Sequence, residues 1–268
     1  MTDSPLISVS VVSHGQAALV DVLLRGLATR IKTPIEIILT VNIPEMPTFD
    51  AAHTAFPVRV RINVEPKGFG ANHNAAFRES RGKYFCVLNP DILIENDPFP
   101  ALVACLAGPG VGVVAPLIRN TAGAVEDSAR RFPTPWTILS KAIWGAGPEY
   151  AIGKEPLHPQ WVAGMFMLFP REVFEEIGGF DERYFLYYED VDLCARLAIS
   201  GLRVAVCPAA CAIHAAQRES RRNLRYLRWH LSSMLRFFLR HPAARHRRRS
   251  VAKAVSRGDS LPGDKRNW

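Results

Sequence analysis

The chain has 268 residues, of which 48% are hydrophobic and 22% charged, and a formal net charge of +8. This length and composition predict a globular protein with a sizeable core, built as one large domain or as a domain with an appended piece. The sequence contains no run of about 18 apolar residues and does not begin like a signal peptide, so we expect a cytoplasmic protein. Its five cysteines, an odd number, favour reduced thiols over a disulfide framework.

The positive charge is concentrated at the C-terminal end. Residues 218–268 contain 15 Lys/Arg and 3 Asp/Glu, whereas residues 1–217 contain 18 and 22. The basic charge therefore concerns a partner of the C-terminal segment and not the fold. Because the remaining chain is net acidic and lacks charge interleaved with an exposed aromatic platform, the composition argues against a nucleic-acid-binding protein.

Short apolar runs alternate with helical patterns through the first 118 residues. This alternation predicts an α/β fold, with a mainly parallel, Rossmann-like central sheet covered by helices and a ligand crevice at the carboxyl ends of its strands. The predicted strands are 6–12, 35–41, 58–62, 84–88 and 111–118, and the first helix carries its apolar residues between Ala18 and Leu27.

Polar residues follow several of these strands and are candidates for the crevice: Ser13, His14, Asn42, Lys67 and Asp91. The Gly68-Phe69-Gly70 loop before a helix has two interpretations. Its amides could bind a phosphate with Lys67 adding charge, or the loop could be a tight turn. It is no dinucleotide fingerprint, because the third glycine is missing.

Asp91 closes a buried strand and is placed to hold a divalent cation that bridges a diphosphate. His214 follows the last predicted core strand and could complete that site, although structural histidines are commoner. Zinc binding by Cys207, Cys211 and His214 is a weaker alternative, because the sequence offers no second ligand pair.

The middle of the chain offers candidates for the other substrate. Arg130 and Arg131 precede a proline-rich turn and could bind an anionic group bidentately. Residues 133–159 are predicted to form a mobile flap, and a strand is predicted over 161–169, where Gly164 would let a ligand approach closely. Two further strand segments are predicted at 203–208 and 212–214.

An acidic pair, Glu189 and Asp190, follows an aromatic run and begins a predicted helix. A carboxylate in a cleft walled by aromatic rings is suited to removing a proton from a hydroxyl. The alternative is that Asp190 and Asp192 only cap the helix. From this segment alone the two interpretations are equally supported.

The C-terminal segment combines a helical apolar stripe with arginines over 218–242, followed by a basic tail, predicted to be disordered, over 243–268. The helix could lie in a membrane interface or pack on the core. Both can hold in part, with 224–239 docked and the tail touching anionic lipid. We expect a domain over 1–217, with a nucleotide-binding half (1–118) and an acceptor half (119–217).

The ordered set of motifs resembles the inverting glycosyltransferases of family 2 with the GT-A type fold, and within them the bacterial rhamnosyltransferase branch. The motifs are Val12-Ser13-His14, Gly68 to Asn74, Leu88 to Asp91, Gly178 to Asp181, Tyr188 to Leu193, and His214, and the likeness covers about residues 6–240.

The resemblance implies a role for each group of candidates. Donor binding would fall to Ser13, His14, Asn42, Lys67, Gly68, Gly70, Asn74, Asn89 and Asp91. Asp91 and His214 would hold Mg²⁺ or Mn²⁺, and Asp190, paired with Glu189, would be the catalytic base. The acceptor or a pyrophosphate would contact Arg130, Arg131, Trp161, Gly164 and Asp181.

Two positions depart from the family pattern. Val41 stands where the family usually has an aspartate that contacts the base, so nucleobase recognition must rest on other groups. Asn89 replaces the first carboxylate of the metal motif, as in the rhamnosyl branch, and a neutral amide binds a cation more weakly.

The resemblance implies transfer of L-rhamnose from dTDP-rhamnose, with inversion, onto a lipid-linked glycan or surface polysaccharide precursor at the inner face of the plasma membrane. The alternatives are the same chemistry with galactofuranose, glucose or N-acetylglucosamine, and a non-catalytic protein that binds glycan or nucleic acid. Retention of both Asp91 and Asp190 argues against a non-catalytic protein.

Overall fold

The computed structural model describes residues 5–45, 55–144, 147–215 and 224–242. The predicted basic tail over 243–268 lies outside these residues, as does the predicted boundary between 217 and 218.

An eight-stranded sheet forms the centre of the molecule, with the strand order β3-β2-β1-β4-β9-β6-β10-β5. The strands are β1 (Ile7–Ser13), β2 (Ile35–Val41), β3 (Val58–Ile62), β4 (Tyr84–Leu88), β5 (Ile92–Leu93), β6 (Val111–Asn120), β9 (Phe166–Pro170) and β10 (Arg203–His214). The first four are parallel, β9 runs antiparallel between β4 and β6, and β10 is parallel to β6. The predicted mainly parallel α/β sheet is therefore confirmed.

Alternating side chains of the central strands enter two separate cores. On β4, Cys86 and Leu88 pack on one face of the sheet, and Phe85 and Val87 pack on the other. This period of two is what a strand covered on both faces requires.

Seven helices accompany the sheet within the described residues: α1 (Ala17–Arg30), α2 (Phe69–Glu79), α3 (Phe99–Leu106), α4 (Pro135–Trp144), α5 (Arg171–Glu176), α6 (Glu189–Ile199) and α7 (Leu224–Arg240). On α1 the buried residues are Val20, Leu23, Leu24 and Leu27. Leu23 and Leu27 belong to the predicted stripe, whereas its members Ala18 and Val22 are exposed. The first core contains the buried side chains of α1 and α3, and the second contains those of α6.

Two strand predictions need correction. The strand predicted over 161–169 is split into β8 (Trp161–Val162) and β9, and β8 pairs with β7 (Ala129–Arg130) in a separate two-stranded sheet. The split coincides with Gly164, whose amide donates to the Asp190 side chain and not to a strand. The two segments predicted at 203–208 and 212–214 form one strand, β10, with a register shift between Cys207 and Cys211. Pro208 lies within the shift and cannot donate a ladder hydrogen bond.

The flap predicted over 133–159 contains a helix, α4. The helix begins with a common N-terminal arrangement. Pro135 occupies its first position, and Thr134 is the N-cap, whose hydroxyl accepts a hydrogen bond from the Thr137 amide at 3.1 Å. The density of prolines and glycines around this short helix concealed it from the sequence pattern.

The C-terminal helix α7 docks on the core. Phe237 is fully buried and Ser233 nearly so, and the Ser233 hydroxyl donates to the Leu186 carbonyl at 2.9 Å. Four leucines at a spacing of four residues stay exposed on its outer side: Leu227 (53% exposed), Leu231 (49%), Leu235 (60%) and Leu239 (74%). We call these four residues the leucine ridge. Among the described helices, none is both long and apolar enough to cross a membrane.

Candidate active site

A cleft of about 540 Å³ opens beyond the carboxyl ends of β1, β2 and β4. Five of the predicted donor-binding residues line it: His14, Asn42, Lys67, Asn89 and Asp91. They come from separate strand ends, which a parallel sheet brings to one edge. Four aromatic residues also line it: Phe69, Phe185, Tyr226 and Trp229. Phe185 belongs to the aromatic run that the sequence predicted to wall a cleft, and the other three were not predicted there.

Three asparagines fix the loop that carries Lys67. Asn42 accepts from the Lys67 amide (2.8 Å) and donates to its carbonyl (3.0 Å). Asn63 Nδ2 bridges Asn42 Oδ1 (2.8 Å) and Asn72 Oδ1 (2.7 Å), and Asn72 donates to the Lys67 carbonyl. Asn42 also contacts the His14 ring, at 3.0 Å from Nδ1. The sequence analysis missed Asn63 and Asn72, although Asn63 directly follows β3 and Asn72 lies inside a motif that it quoted.

The two loop glycines serve close packing. A Cβ at Gly68 would lie 2.6 Å from the Phe185 carbonyl oxygen, and one at Gly70 would lie 2.6 Å from Phe180 Cβ. The Phe69 amide donates to the Phe185 carbonyl at 2.9 Å. This loop is therefore held against the segment before α6, and the Phe69 amide is already engaged by protein.

Four predicted donor-binding residues lie outside the lining of the cleft: the two glycines Gly68 and Gly70, and Ser13 and Asn74. Ser13 is buried, and its hydroxyl accepts from the Gln16 amide at 3.3 Å. Asn74 donates to the Phe180 carbonyl at 2.8 Å and accepts from the Phe180 amide at 2.9 Å. Asn74 thus holds the Gly179-Phe180 turn from a distance of 106 residues in sequence.

Asp190 is fixed beside the cleft. It accepts hydrogen bonds from the amides of Gly164 (3.0 Å) and Val191 (2.8 Å). A side chain added at Gly164 would meet the Phe69 ring at 3.4 Å and Asp190 Cβ at 3.5 Å, so the carboxyl group and the cleft wall are neighbours. Burial raises the pKa of Asp190 above its ordinary value, although the two amides and the charge of Arg130 oppose the shift.

Glu189 is the more deeply buried member of the acidic pair. Its side chain is 5% exposed, and its Oε2 atom has no hydrogen-bond partner within the described chain. Burial and the neighbouring Asp190 charge raise the pKa of Glu189 well above its ordinary value. Burial thus disfavours two negative charges on this adjacent pair, and Glu189, whose Oε2 accepts no hydrogen bond from the described residues, is the less stabilised carboxylate.

The backbone before the pair is strained. Tyr187 and Tyr188 both adopt left-handed conformations, with φ values of 69° and 68°. Such a conformation costs about 1–2 kcal/mol for a residue with a side chain, so the surrounding packing must hold it. The helix α7 supplies that packing, because His230 contacts both tyrosine rings and Phe237 contacts Tyr188.

Asp192 does not merely cap the helix. It is fully buried, and it binds Arg196 Nε and His241 Nε2, each at 2.8 Å. Burial opposes its ionisation, but the hydrogen bonds from His241 and Arg196 and the charges of Arg196 and Arg240 outweigh burial and lower its pKa. Asp192 therefore ties the end of α7 to α6.

The metal prediction rests on Asp91 and His214, and the structure brings them together. His214 Nε2 lies 3.1 Å from Asp91 Oδ2, and His214 Nδ1 lies 2.8 Å from Glu126 Oε2. The hydrogen bond to Asp91, the hydrogen bond to Glu126 and the two carboxylate charges overcome burial and raise the pKa of His214 to about 9.

Asp91 Oδ1 is buried without a partner in the described part of the chain, which leaves a carboxylate oxygen for a hard cation beside a histidine nitrogen. These two residues fit Mg²⁺ or Mn²⁺. No group of three His, Cys, Asp or Glu among the described residues converges on one point, so further ligands would have to be water or the oxygens of a bound diphosphate. The zinc alternative gains no support, because Cys207 contacts the Ala101 carbonyl and the two cysteines and His214 form no ligand group within the described residues.

The predicted acceptor residues do not form one group. Arg130 pairs with Asp127 (3.0 Å) and lies over the Trp161 ring, and its charge reaches Asp190. Arg131 instead faces Tyr150 and lines a second cavity of about 930 Å³.

Trp161 donates to the Arg131 carbonyl at 2.8 Å, and its ring supports the Arg130 guanidinium. Asp181 is paired with Arg183 and Arg240 and does not line the cleft. Of the predicted acceptor set, only Gly164 and Arg130 are thus brought to Asp190.

The sequence of this chain is similar to those of known glycosyltransferases. The sequence profile described as glycosyltransferase like family 2 matches residues 5–232. The chain is 33% identical to rhamnosyltransferase WbbL of Escherichia coli (strain K12) over 187 residues, which cover 65% of this chain and 70% of that protein. It is 31% identical to N-acetylglucosaminyl-diphospho-decaprenol L-rhamnosyltransferase of Mycobacterium tuberculosis (strain ATCC 25618 / H37Rv) over 237 residues, covering 80% and 76%.

Solved structures support the same fold. GalNAc-T7 with UDP, GalNAc and Mn²⁺ superposes with a TM-score of 0.63 at 16% identity, over 82% of this chain and 45% of that one. Mannosyltransferase PcManGT from Pyrobaculum calidifontis with GDP-Man and Mn²⁺ gives 0.57 at 18% identity, over 82% and 59%. The chain thus spans about half the length of these structures, and the likeness confirms the GT-A type fold. Together with the profile match, it shows that the chain is a glycosyltransferase and belongs to glycosyltransferase-like family 2.

Proposed function

We propose that the protein transfers L-rhamnose from dTDP-rhamnose to a hydroxyl of a lipid-linked glycan, with inversion at the anomeric carbon. One observation supports this proposal above the others. Five polar residues from strand ends and the loops beyond them line one cleft, and the acidic pair Glu189 and Asp190 lies beside that cleft. The names of the relatives in E. coli and M. tuberculosis support rhamnose as the sugar, and the name of the mycobacterial relative supports a lipid diphosphate on the acceptor.

The donor would lie in the cleft with its nucleotide near β1 and β2. His14 and Asn42 would contact the base, and Lys67 would face the diphosphate as a cation. Because Val41 is buried and apolar, the base is expected to be read by the asparagine cluster and His14.

Asp91 and His214 would hold Mg²⁺ or Mn²⁺ at the diphosphate end of the cleft. When bound, the cation neutralises the charge that develops on the departing diphosphate. Asn89 lines the same end and offers an amide where a second carboxylate would add charge, so the protein's own charge toward the cation comes from Asp91.

Asp190 would take the proton from the acceptor hydroxyl as the hydroxyl oxygen attacks the anomeric carbon. The amides of Gly164 and Val191 fix its carboxylate, and a proton on Glu189 removes the repulsion between two adjacent negative charges. The bond from the anomeric carbon to the diphosphate breaks as the new glycosidic bond forms. A single displacement of this kind inverts the configuration, and no sugar is attached to the protein.

The acceptor side would face an anionic membrane surface through α7. The leucine ridge is exposed, and Arg225, Arg228 and Arg236 accompany it on a helix that contains no acidic residue. An apolar strip flanked by cations suits the interface of anionic lipid. The basic residues over 243–268 would add attraction of about 1 kcal/mol for each Lys or Arg near the surface.

A donor and acceptor screen tests the function. The purified full chain would be incubated with Mn²⁺, a lipid-diphosphate N-acetylglucosamine acceptor and dTDP-rhamnose, UDP-galactofuranose, UDP-glucose or UDP-N-acetylglucosamine in turn. We expect product only with dTDP-rhamnose, with a mass increase of one deoxyhexose and an inverted anomeric configuration by NMR. Efficient transfer of another sugar would overturn the donor assignment, and retention of configuration would overturn the mechanism.

Liposome binding tests the membrane contact separately. We expect the full chain to bind phosphatidylglycerol vesicles at low salt and to be released by salt, with weaker binding for Leu231→Asp and Leu235→Asp and for removal of residues 243–268. The control is Ile199→Asp, which places a charge at an exposed apolar position on α6. Equal binding of all variants would contradict the membrane orientation.

A further inference from the structure

Glu126 contacts the His214 ring at the nitrogen opposite the one that faces Asp91. Its Oε2 atom lies 2.8 Å from His214 Nδ1, while the other ring nitrogen of His214 faces Asp91. We infer that Glu126 is a positioning residue that orients His214 for binding the divalent cation. The inference rests on the proposed function only in taking Asp91 and His214 as the cation's protein ligands.

The position of Glu126 is built into the fold. The chain turns after β6, where Asn120 Oδ1 accepts from the amides of Ala122 and Ala124, each at 3.0 Å. The returning segment is hydrogen-bonded to β6, because the Glu126 amide donates to the Ile118 carbonyl at 2.9 Å. The backbone of Glu126 is thus tied to a central strand, and its carboxylate does not depend on a freely moving loop.

The backbone of His214 is fixed to the same degree. It is the last residue of β10 and pairs with Asn120 on β6 and with Ile92 on β5. The next amide, of Ala215, donates to the Asp91 carbonyl at 2.8 Å. The backbones of Glu126 and His214 are both held, so the His214 ring can move only by rotation about its own side-chain bonds. The contact with Glu126 limits that rotation.

The chemistry of imidazole explains what this contact does. A neutral histidine carries one N–H and one lone pair, and the hydrogen bond made by one nitrogen decides which nitrogen is left for a metal. Both nitrogens face carboxylates, so a cation would bind at Nε2 in place of a proton, while Nδ1–H continues to donate to Glu126. A carboxylate acceptor at Nδ1 makes Nε2 a better ligand. The buried and unpartnered Asp91 Oδ1 offers oxygen on the same side.

Sequence reasoning could not find this residue. Glu126 lies in a polar stretch between β6 and β7 and precedes His214 by 88 residues. The sequence analysis gave it no role, because only the pairing of β6 with β10 brings the two side chains together.

The test measures cation affinity directly, with Mn²⁺ as the probe. The full chain would be titrated with Mn²⁺, with and without dTDP, and free Mn²⁺ followed by electron paramagnetic resonance. We expect Glu126→Ala to weaken Mn²⁺ binding about 10- to 100-fold, the effect usual for loss of the carboxylate behind a metal-bound histidine. Glu126→Gln keeps an acceptor oxygen and should retain part of the affinity.

Two controls separate this role from a structural one. Glu176→Ala removes the same charge from an exposed position on α5 and should leave Mn²⁺ affinity unchanged. Thermal melting of each variant without metal reports whether it folds. If Glu126→Ala is unstable, the Mn²⁺ affinity of Glu126→Gln tests the role of Glu126.

Wild-type affinity in both Glu126 variants would overturn the inference, as would the absence of Mn²⁺ binding by the wild-type chain. Because no sugar enters this measurement, failure of rhamnose transfer would leave its result standing.

Discussion

The donor cleft and the segment around the acidic pair are built in different ways. In the cleft, His14, Asn42 and Asp91 each lie just after the end of a strand, and the parallel sheet is enough to bring them together. Around Glu189 and Asp190, the conformation depends on partners that come from distant parts of the chain, such as Asn74 and His241. The first site is a property of the sheet, and the second is a property of long-range packing.

The largest effect is expected at Asp190, the proposed base. Asp190→Asn is nearly isosteric but cannot accept the proton, so we expect turnover to fall about 10²- to 10⁴-fold while dTDP still binds. Steady-state rates and a dTDP titration measure the two properties. Asp21→Asn on α1 is the control for loss of one acidic charge. Near-normal turnover of the Asp190 variant would show that another group is the base.

The next effect concerns stability and tests the dependence on α7. Phe237 is fully buried against Tyr188, so Phe237→Ala should lower the free energy of unfolding by about 3–5 kcal/mol. Leu239→Ala, two residues further on and 74% exposed, should change it by less than about 0.5 kcal/mol. Urea unfolding measures both. Equal values for the two variants would mean that α7 does not dock in solution.

Acid should weaken the same docking through Asp181. Burial opposes ionisation of Asp181, but the hydrogen bonds and charge of Arg183 and the charge of Arg240 outweigh it and lower its pKa from 3.8 to about 2. A depressed pKa contributes stability that is present above about pH 4 and lost as the pH falls through about 2. The difference in melting temperature between wild type and Asp181→Asn should therefore be constant above about pH 5 and shrink towards pH 2.

That difference is measured by circular dichroism melts in buffers of equal ionic strength. A difference that stays the same down to pH 2 would show that the interaction of Asp181 with Arg183 and Arg240 does not contribute to stability.

The smallest change in turnover is expected at Glu189, the neighbour of Asp190. Because burial favours the protonated form of Glu189, Glu189→Gln replaces that form by a neutral group of similar shape. We expect turnover within a few-fold of wild type near neutral pH, in contrast to Asp190→Asn. A loss as large as that of Asp190→Asn would assign proton transfer to Glu189 and reverse the order of the pair.

The sequence predicted the sheet and the cleft for a physical reason. Buried strands have an apolar pattern of their own, and parallel strands carry the residues at their ends to one edge, so Asp91 could be placed without any knowledge of its neighbours. The roles of Asn74 and Asp181 were not predictable in this way. Their side chains bind Phe180 and Arg240, and no local pattern records a partner about 60 or 106 residues away.

The strand split at Gly164 has the same origin. The local sequence from Trp161 to Phe169 is apolar throughout and reads as one strand. Its interruption follows from the Asp190 carboxylate, which takes the Gly164 amide out of strand pairing. A side chain 26 residues later in the sequence thus binds the amide at which the strand is interrupted.

The helix α7 has one further consequence for the proposed membrane orientation. Tyr226 and Trp229 line the cleft, and the leucine ridge lies on the other side of the same helix. An α-helix with its side chains is about 10–12 Å across, so α7 would act as a spacer that holds the cleft wall about one helix diameter above the plane of the leucines. Hydroxyl groups in the plane of the leucines would be out of reach. The enzyme would select, by height, those acceptors whose reactive hydroxyl stands about 10 Å above that plane.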